Sequence, residues 1–477
     1  MLIRPCYKCC ARTVYFLKIK ISCSIVISNH IKKSCRSISA RLERHAAPQV
    51  YHLSSTYLPF MNCSLRFLGG CGEVGRSAVL IDDDILLDYG MKPGESSDSP
   101  PSYPLNGIHP RTIIISHGHL DHCGVVPNIM DIHPQVYSTP ITKHLTAFLA
   151  KDTLSIARRS GQMPLFDSQD IQEFMQSARI IDYRDRFECG EYTAQLYDAG
   201  HIPGSASILL ESENGIRILY TGDVNHTDTR LLNRACPQPK ADVMITESTY
   251  FGTDHTPRKE LEQEFVDSIR DTLNRGGNAI VPCFAIGRTQ EVLMILHKHG
   301  LHPYVDGMGV DVLRRFIQYP ECLRDSNALQ QAFDNATVVK PERRARILKN
   351  SLIVTTAGML NGGPALFYLG KIHDDPESKI LLTGYQVEGT NGYHALAHKR
   401  LTDRNRVLSL RMTVEQYDFS AHSGDAELKR LVQKFCDQGG EFVFMMHGDR
   451  TEEFAAWAGE CKIDATAPAN GDEFTIE

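Results

Sequence analysis

The stretch Ser116-His117-Gly118-His119-Leu120-Asp121-His122 places four metal-ligating side chains within six residues, directly after the apolar run Thr112-Ile113-Ile114-Ile115. The run reads as a buried β-strand, so the histidines and the aspartate leave one strand end together. In such a turn His117 and His119 point into one site while Asp121 and His122 point into an adjacent one, which suits two metals sharing a bridge. Zinc accepts imidazole nitrogen and carboxylate oxygen, and a catalytic site keeps a position open for water. Two ions about 3.5–4 Å apart activate a shared water and stabilise the leaving oxygen of a phosphoester. The competing reading, a polar loop with scattered histidines, leaves the fixed spacing after a single strand unexplained.

The pattern His117-x-His119-x-Asp121-His122 resembles the signature of the metallo-β-lactamase superfamily. That resemblance implies an α/β fold, a four-layer αββα sandwich with metals at one edge, and further ligands downstream. Asp88, which ends the hairpin of Val79-Leu80-Ile81 and Ile85-Leu86-Leu87, matches an aspartate that hydrogen-bonds the metal-binding loop rather than ligating. His201, in Asp198-Ala199-Gly200-His201 after the strand-like Thr193–Tyr197, joins His117 and His119 by the same resemblance. Asp223, in Thr221-Gly222-Asp223 after Ile216–Tyr220, is the implied bridging carboxylate.

Asp242–Ser248 reads as another strand, and its Glu247 matches the acidic motif of the nucleic-acid-processing β-CASP branch. Residues 250–420 then alternate strand and helix, which predicts an inserted, mainly parallel sheet covered on both faces. Thr256-Pro257 is placed to start its first helix, with Leu261, Phe265, Ile269 and Leu273 on one face and Gly276-Gly277 closing it. His422, in Phe419-Ser420-Ala421-His422-Ser423-Gly424, and His447, in His447-Gly448-Asp449 after the strand Glu441–Met446, match the two remaining motifs. The resemblance covers nearly all of 61–477. It is greatest to the short archaeal homologues of the nuclease subunit of the cleavage and polyadenylation specificity factor, with ribonuclease J more distant. It implies a ribonuclease holding two zinc ions per chain, with manganese an alternative in the second site. The implied ligands are His117, His119, Asp121, His122, His201, Asp223 and His447, and the implied catalytic pair is His422, protonating the leaving oxygen, oriented by Glu247. Histidine at 447 points to RNA, since the DNA-repair branch carries an aliphatic residue there.

Two strand-to-helix loops of the insert, Phe284–Gln290 and Gly358–Pro364, offer RNA contacts. Loops of this kind present backbone amides to anions, and a guanidinium grips phosphate through two hydrogen bonds; Arg288, Gly287, Gly362 and Gly363 are the expected residues. Ordinary loop chemistry is the alternative. The glycine-rich Gly69–Ser77 stretch is evenly divided between a phosphate loop and a hairpin turn.

Charge separates the ends from the body. Of 51 basic and 57 acidic residues, ten and one fall in 1–60, leaving a net charge of −15 in 61–477. An acidic body grips single-stranded RNA only through a local basic groove. Residues 1–60 read as an extension, either transit-like or a mis-assigned start, with Met61 favoured as the functional start. The domain expectation is 61–249 and 421–477 for the sandwich and 250–420 for the insert. Fourteen cysteines show no paired ligand spacing, and reduced thiols in a cytoplasmic protein are expected. No run of eighteen apolar residues predicts a membrane span. Gly124–Ile132 and Thr139–Ser160 are expected helices, and Phe474-Thr475-Ile476 either finishes a sheet or makes a homodimer contact. Competing functions are a non-catalytic RNA-binding subunit, a small-molecule metallo-hydrolase, which has no need of the insert, and a DNA nuclease.

Overall fold

The computed structural model describes residues 19–20, 63–94, 99–403 and 406–476. The extension proposed over 1–60 lies outside the described residues except for the strand Ile19–Lys20, which pairs antiparallel with Glu473–Ile476. Two sheets form the centre of the sandwich. The first has the order Ile19–Lys20, Glu473–Ile476, Cys63–Gly69, Ala78–Ile81, Ile85–Leu87, Thr112–Ile114, Gln135–Ser138, Arg179–Ile180. The second has the order Ala465–Thr466, Phe442–Met445, Val243–Thr246, Arg217–Tyr220, Ala206–Ser212, Tyr192–Asp198, Arg186–Cys189. The terminal Phe474–Ile476 segment therefore completes a sheet.

Strand alternation decides what each face covers. Leu65, Phe67, Val79, Ile81 and Ile114 of the first sheet pack on Leu196, Ile208, Ile218, Ile245 and Phe444 of the second. The opposite face of the second sheet, with Leu219, Met244 and Met445, is covered by the helices Asp425–Asp437 and Thr451–Glu460. The opposite face of the first sheet, with Leu80, Leu86 and Ile113, meets the helices Pro140–Ser160 and Ser168–Ser177. The result is an αββα sandwich.

Between Thr246 and Phe442 the chain builds a third sheet, in the order Thr337–Val338, Tyr304–Asp306, Leu352–Thr355, Ala279–Pro282, Lys379–Leu382, Thr413–Gln416, all parallel. Its first helix, Arg258–Asn274, buries Leu261, Phe265 and Ile269. Those side chains share one continuous core with Ile113 and Ile202 of the sandwich, so the insert is packed onto the sandwich.

One expected helix differs. Gly124–Ile132 is a 3-10 run over Val126–Ile132, with a kink at Ile129, and a true helical turn occupies only Leu120–Cys123. The break comes at Ile129, whose backbone (φ −114°, ψ 20°) leaves the helical region. The Gly69–Ser77 stretch is a hairpin connection whose Gly70 carbonyl accepts the His447 amide at 2.6 Å. Among the described residues no helix is long and apolar enough to cross a membrane.

Phe444 touches both Phe67 (5.1 Å between ring centroids) and Phe474 (4.9 Å) across the sandwich. Phe444→Ala is expected to lower the unfolding free energy by about 3–5 kcal/mol, read as a shifted denaturant midpoint at unchanged slope.

Candidate metal centre and active site

Strand register assembles the site. Arg217–Tyr220, Val243–Thr246 and Phe442–Met445 are parallel neighbours, with Tyr220 opposite Ile245 and Thr246 opposite Met445. Their C-terminal ends therefore release Asp223, Glu247 and His447 at one edge. In the first sheet Leu87 lies opposite Ile114, which sets Asp88 beside Ser116 at the facing edge. The two edges are joined where the Ala206 amide donates to the Ser116 carbonyl at 2.8 Å.

Asp88 holds the loop. It is fully buried and accepts from the Ser116 amide (2.7 Å), the Ser116 hydroxyl (2.7 Å), His122 Nδ1 (2.7 Å) and the Tyr220 hydroxyl (2.8 Å). The turn that follows is tight, because a Cβ on Gly90 would fall on the Asp121 carbonyl and the His122 amide nitrogen.

The seven candidate ligands lie together. His117, His119, His201 and Asp223 form one group, and Asp121, His122 and His447 form a second. His201 Nδ1 donates to the Ala421 carbonyl at 2.7 Å. His117 Nδ1 lies 3.0 Å from the Ser116 hydroxyl, whose own proton goes to Asp88. Both rings thus carry lone pairs on Nε2, and these approach His119 Nδ1 at 3.2 and 3.0 Å. One proton on His119 serves only one of them, whereas a cation between the three nitrogens serves all.

Asp223 stands between the groups. Its Oδ2 is 3.4 Å from His117 Nε2 and 3.6 Å from His201 Nε2. Its Oδ1 is 3.2 Å from His122 Nε2 and 3.0 Å from His447 Nδ1. His122 Nε2, His447 Nε2 and Asp223 Oδ1 are buried without a hydrogen-bond partner. Unpartnered buried lone pairs converging on one point fit metal ions.

The protonation pattern agrees. Burial alone favours neutral imidazole, yet Asp223 and Asp88 hold His122 well above the ordinary histidine range, and Asp223 with Asp121 pushes His447 up to about 10. Burial and the charge of His122 keep His117 well below that range, and burial lowers His119 to about 4. The carboxylates of the second group thus favour positive charge at its rings, the charge a bound cation supplies.

His422 lies beside the first group. Its Nδ1 donates to Glu247 Oε2 at 2.9 Å, while Glu247 Oε1 accepts the Val224 amide at 2.7 Å. Its Nε2 is 3.9 Å from Asp223 Oδ2. Burial opposes the charged ring, but Glu247 and Asp223 outweigh it and raise the pKa of His422.

The RNA-contact candidates lie on two loops that touch through Gly358 and Phe284. Gly287 precedes the helix Arg288–Lys298, and a Cβ there would sit 3.1 Å from Ile202 Cγ2, next to His201. The backbone amides of Arg288 and Thr289 are already used by the carbonyls of Ile286 and Phe284. The free donor is the Arg288 side chain, whose buried Nη1 has no partner. Gly362 and Gly363 open the helix Gly363–Ile372. Gly363 packs on the Thr356 backbone, Gly362 faces open space, and Gly358 of the same loop lies against Phe284.

Sequence reasoning missed several neighbours. The Tyr250 ring lies 4.5 Å from His255 and 5.9 Å from His422, and His255 Nε2 is 3.1 Å from the His422 carbonyl. Arg258 donates to the Ser420 carbonyl at 3.1 Å. Tyr250 and His255 lie just beyond Glu247 in sequence, which is the only signal that marked them.

Three family descriptions match the chain: a beta-lactamase superfamily domain over 86–265, a Beta-Casp domain over 289–394, and a Zn-dependent metallo-hydrolase RNA specificity domain over 407–468. A protein named probable RNase MJ4 from Methanocaldococcus jannaschii is 36% identical over 433 residues, 86% of this chain and 99% of that protein. The chain belongs to the metallo-β-lactamase β-CASP family. Another β-CASP relative, RNase aCSPSF2 of Saccharolobus solfataricus, is 34% identical over 87% of this chain and 86% of its own length. Transcription termination factor FttA of Pyrococcus horikoshii is 32% identical over 80% of this chain and 66% of its own. A crystal structure of a protein of unknown function from Enterococcus faecalis shares the fold at TM-score 0.53 and 14% identity, covering 87% of this chain and 100% of that one.

Ligation by His122 and His447, both raised, would require the loss of their protons, so metal uptake is expected to release protons and apparent affinity to rise with pH up to about pH 10. Calorimetry in buffers of different ionisation enthalpy measures both. Gly90→Ala, which changes no ligand, is expected to lower the bound metal per chain, read by elemental analysis.

Proposed function

We propose that this β-CASP protein is a zinc-dependent ribonuclease that hydrolyses phosphodiester bonds of single-stranded RNA, endonucleolytically or 5′-to-3′ exonucleolytically. The observation that carries the reading is Asp223, which gives one carboxylate oxygen to each imidazole group and lies next to a His422–Glu247 pair. His117, His119, His201 and Asp223 are proposed to hold one zinc, and Asp121, His122, His447 and the shared Asp223 the other, with manganese an alternative in the second site. Bound there, the ions supply charge stabilisation for the phosphate and lower the pKa of water towards neutrality.

The remaining roles belong to side chains. His422 is proposed to give its Nε2 proton to the leaving ribose oxygen. Glu247 fixes that tautomer by taking Nδ1–H, and it stabilises the charged ring. Asp88 orients the loop by occupying the His122 Nδ1 proton, which leaves Nε2 as the ligating atom. Arg288 Nη1, with Gly287 and the Gly362-Gly363 turn, is proposed to receive the RNA backbone. The names of the relatives, two of them RNases, support RNA as the substrate.

The domain bounds proposed with this function are 61–249 and 421–477 for the sandwich and 250–420 for the β-CASP insert. A cytoplasmic setting accords with nine free cysteines among the described residues, since thiols persist in a reducing compartment.

The test is a time course of the zinc-loaded protein on 5′-labelled single-stranded RNA, with and without chelator, resolved to single nucleotides. Early labelled mononucleotide means the exonucleolytic mode and discrete longer fragments the endonucleolytic one. His422→Ala is expected to slow cleavage about 10²–10⁴-fold at unchanged metal content. Absence of chelator-sensitive cleavage across several RNAs in both 5′-phosphate states would remove the reading.

A further inference from the structure

Among the described residues, three Phe, Tyr or Trp side chains are exposed, namely Phe284, Phe367 and Tyr385. All three follow strands of the parallel sheet. Phe284 comes two residues after Ala279–Pro282, and Tyr385 three residues after Lys379–Leu382. These two strands are parallel neighbours, with Ala279 opposite Lys379 and Ile280 opposite Ile380. Their following loops therefore emerge side by side at the C-terminal edge of the sheet, where parallel α/β sheets bind ligands.

Gly384 ties the two loops together. A Cβ there would sit 3.6 Å from Phe284 Cε2 and 2.9 Å from Arg288 Nη1. The residue that follows is Tyr385, which is 52% exposed, while Phe284 is 37% exposed. The Phe284 ring and the buried, unpartnered Arg288 Nη1 thus both lie beside Gly384, the residue before Tyr385. The same loop reaches the metal centre, because Gly287 abuts Ile202 beside His201. On the other side Tyr385 lies within electrostatic range of Asp449, two residues past His447.

An exposed aromatic ring forgoes the burial that drives such side chains inward. Two of them on adjoining loops, with an unpartnered guanidinium nitrogen between those loops, match what an unpaired nucleotide offers, an anion and a flat base, and stacking of this kind is tolerant of base identity. We infer that Phe284 and Tyr385 form a stacking platform for unpaired bases next to the scissile phosphate of single-stranded RNA. The inference rests on the ribonuclease reading for its substrate. It adds a positioning function, because neither ring lies among the groups that handle the reacting phosphate.

The experiment uses the full-length, zinc-loaded protein carrying His422→Ala, so that binding is read without cleavage. The probes are an oligouridylate bearing a single 2-aminopurine and an abasic strand of the same length. The parent is expected to bind the base-bearing strand more tightly than the abasic one and to alter 2-aminopurine fluorescence on binding. Adding Phe284→Leu or Tyr385→Leu is expected to weaken the base-bearing complex about 5- to 100-fold each. Abasic affinity and zinc content stay unchanged, and Phe284→Trp and Tyr385→Phe restore the preference. A parent without base preference, whose rings would then serve a protein partner, overturns the inference. So do leucine variants that keep the preference. A parent that prefers bases while the wild type cleaves no RNA leaves the platform standing and removes the nuclease reading, so the two fail separately.

Discussion

A single carboxylate stripped of water sets the terms for this molecule. Asp223 is 2% exposed, and its lowered pKa arises because the charges of His122 and His447 outweigh a burial that on its own favours the acid. An ionised group in that position costs several kcal/mol unless surrounding charge compensates it. The rings around it come from three different segments, those carrying His117 and His122, His201, and His447. Each of those segments must be held in place by something other than Asp223, and the layered sandwich provides that hold.

The hold is mainly apolar. Three parallel strands, Arg217–Tyr220, Val243–Thr246 and Phe442–Met445, are fixed by side chains such as Ile218, Ile245 and Phe444 that face the first sheet, and by Leu219, Met244 and Met445 that face the helices. Because both faces are filled, a register slip would expose one set and bury loop residues in place of the other. The polar chemistry begins one to three residues beyond the last ladder position of each strand. The hydrophobic pattern therefore dictates where the carboxylates and imidazoles emerge.

This division explains what was legible in the sequence. His201, Asp223, Glu247, His422 and His447 were marked by their match to family motifs, while His117–His122 stood out because four ligand-type side chains follow one apolar run; all of them lie together. The parallel insert was legible from its repeated strand and helix units. Contacts between distant segments were not. Tyr220 reaches Asp88 across 132 residues and the Ala421 carbonyl meets His201 across 220, and nothing local in either partner marks the pairing. The expected loop amides of Arg288 and Thr289 turned inward to satisfy their own turn, which depends on backbone geometry that composition does not encode. The helix expected over Gly124–Ile132 gave way to a 3-10 run kinked at Ile129, a backbone departure that the apolar content of the stretch does not mark.

The sandwich is interrupted in sequence, and that has a consequence for biosynthesis. The strand Phe442–Met445 sits inside the second sheet, between Ala465–Thr466 and Val243–Thr246, and Phe474–Ile476 closes the first sheet against Cys63–Gly69. Chains emerge from the ribosome amino end first, so His117, His119, Asp121, His122, His201 and Asp223 appear long before His422 and His447. A nascent chain lacks His422 and the His447 member of the second candidate group until the insert has been made in full. The order of translation thus withholds a complete site until nearly the whole chain has been made.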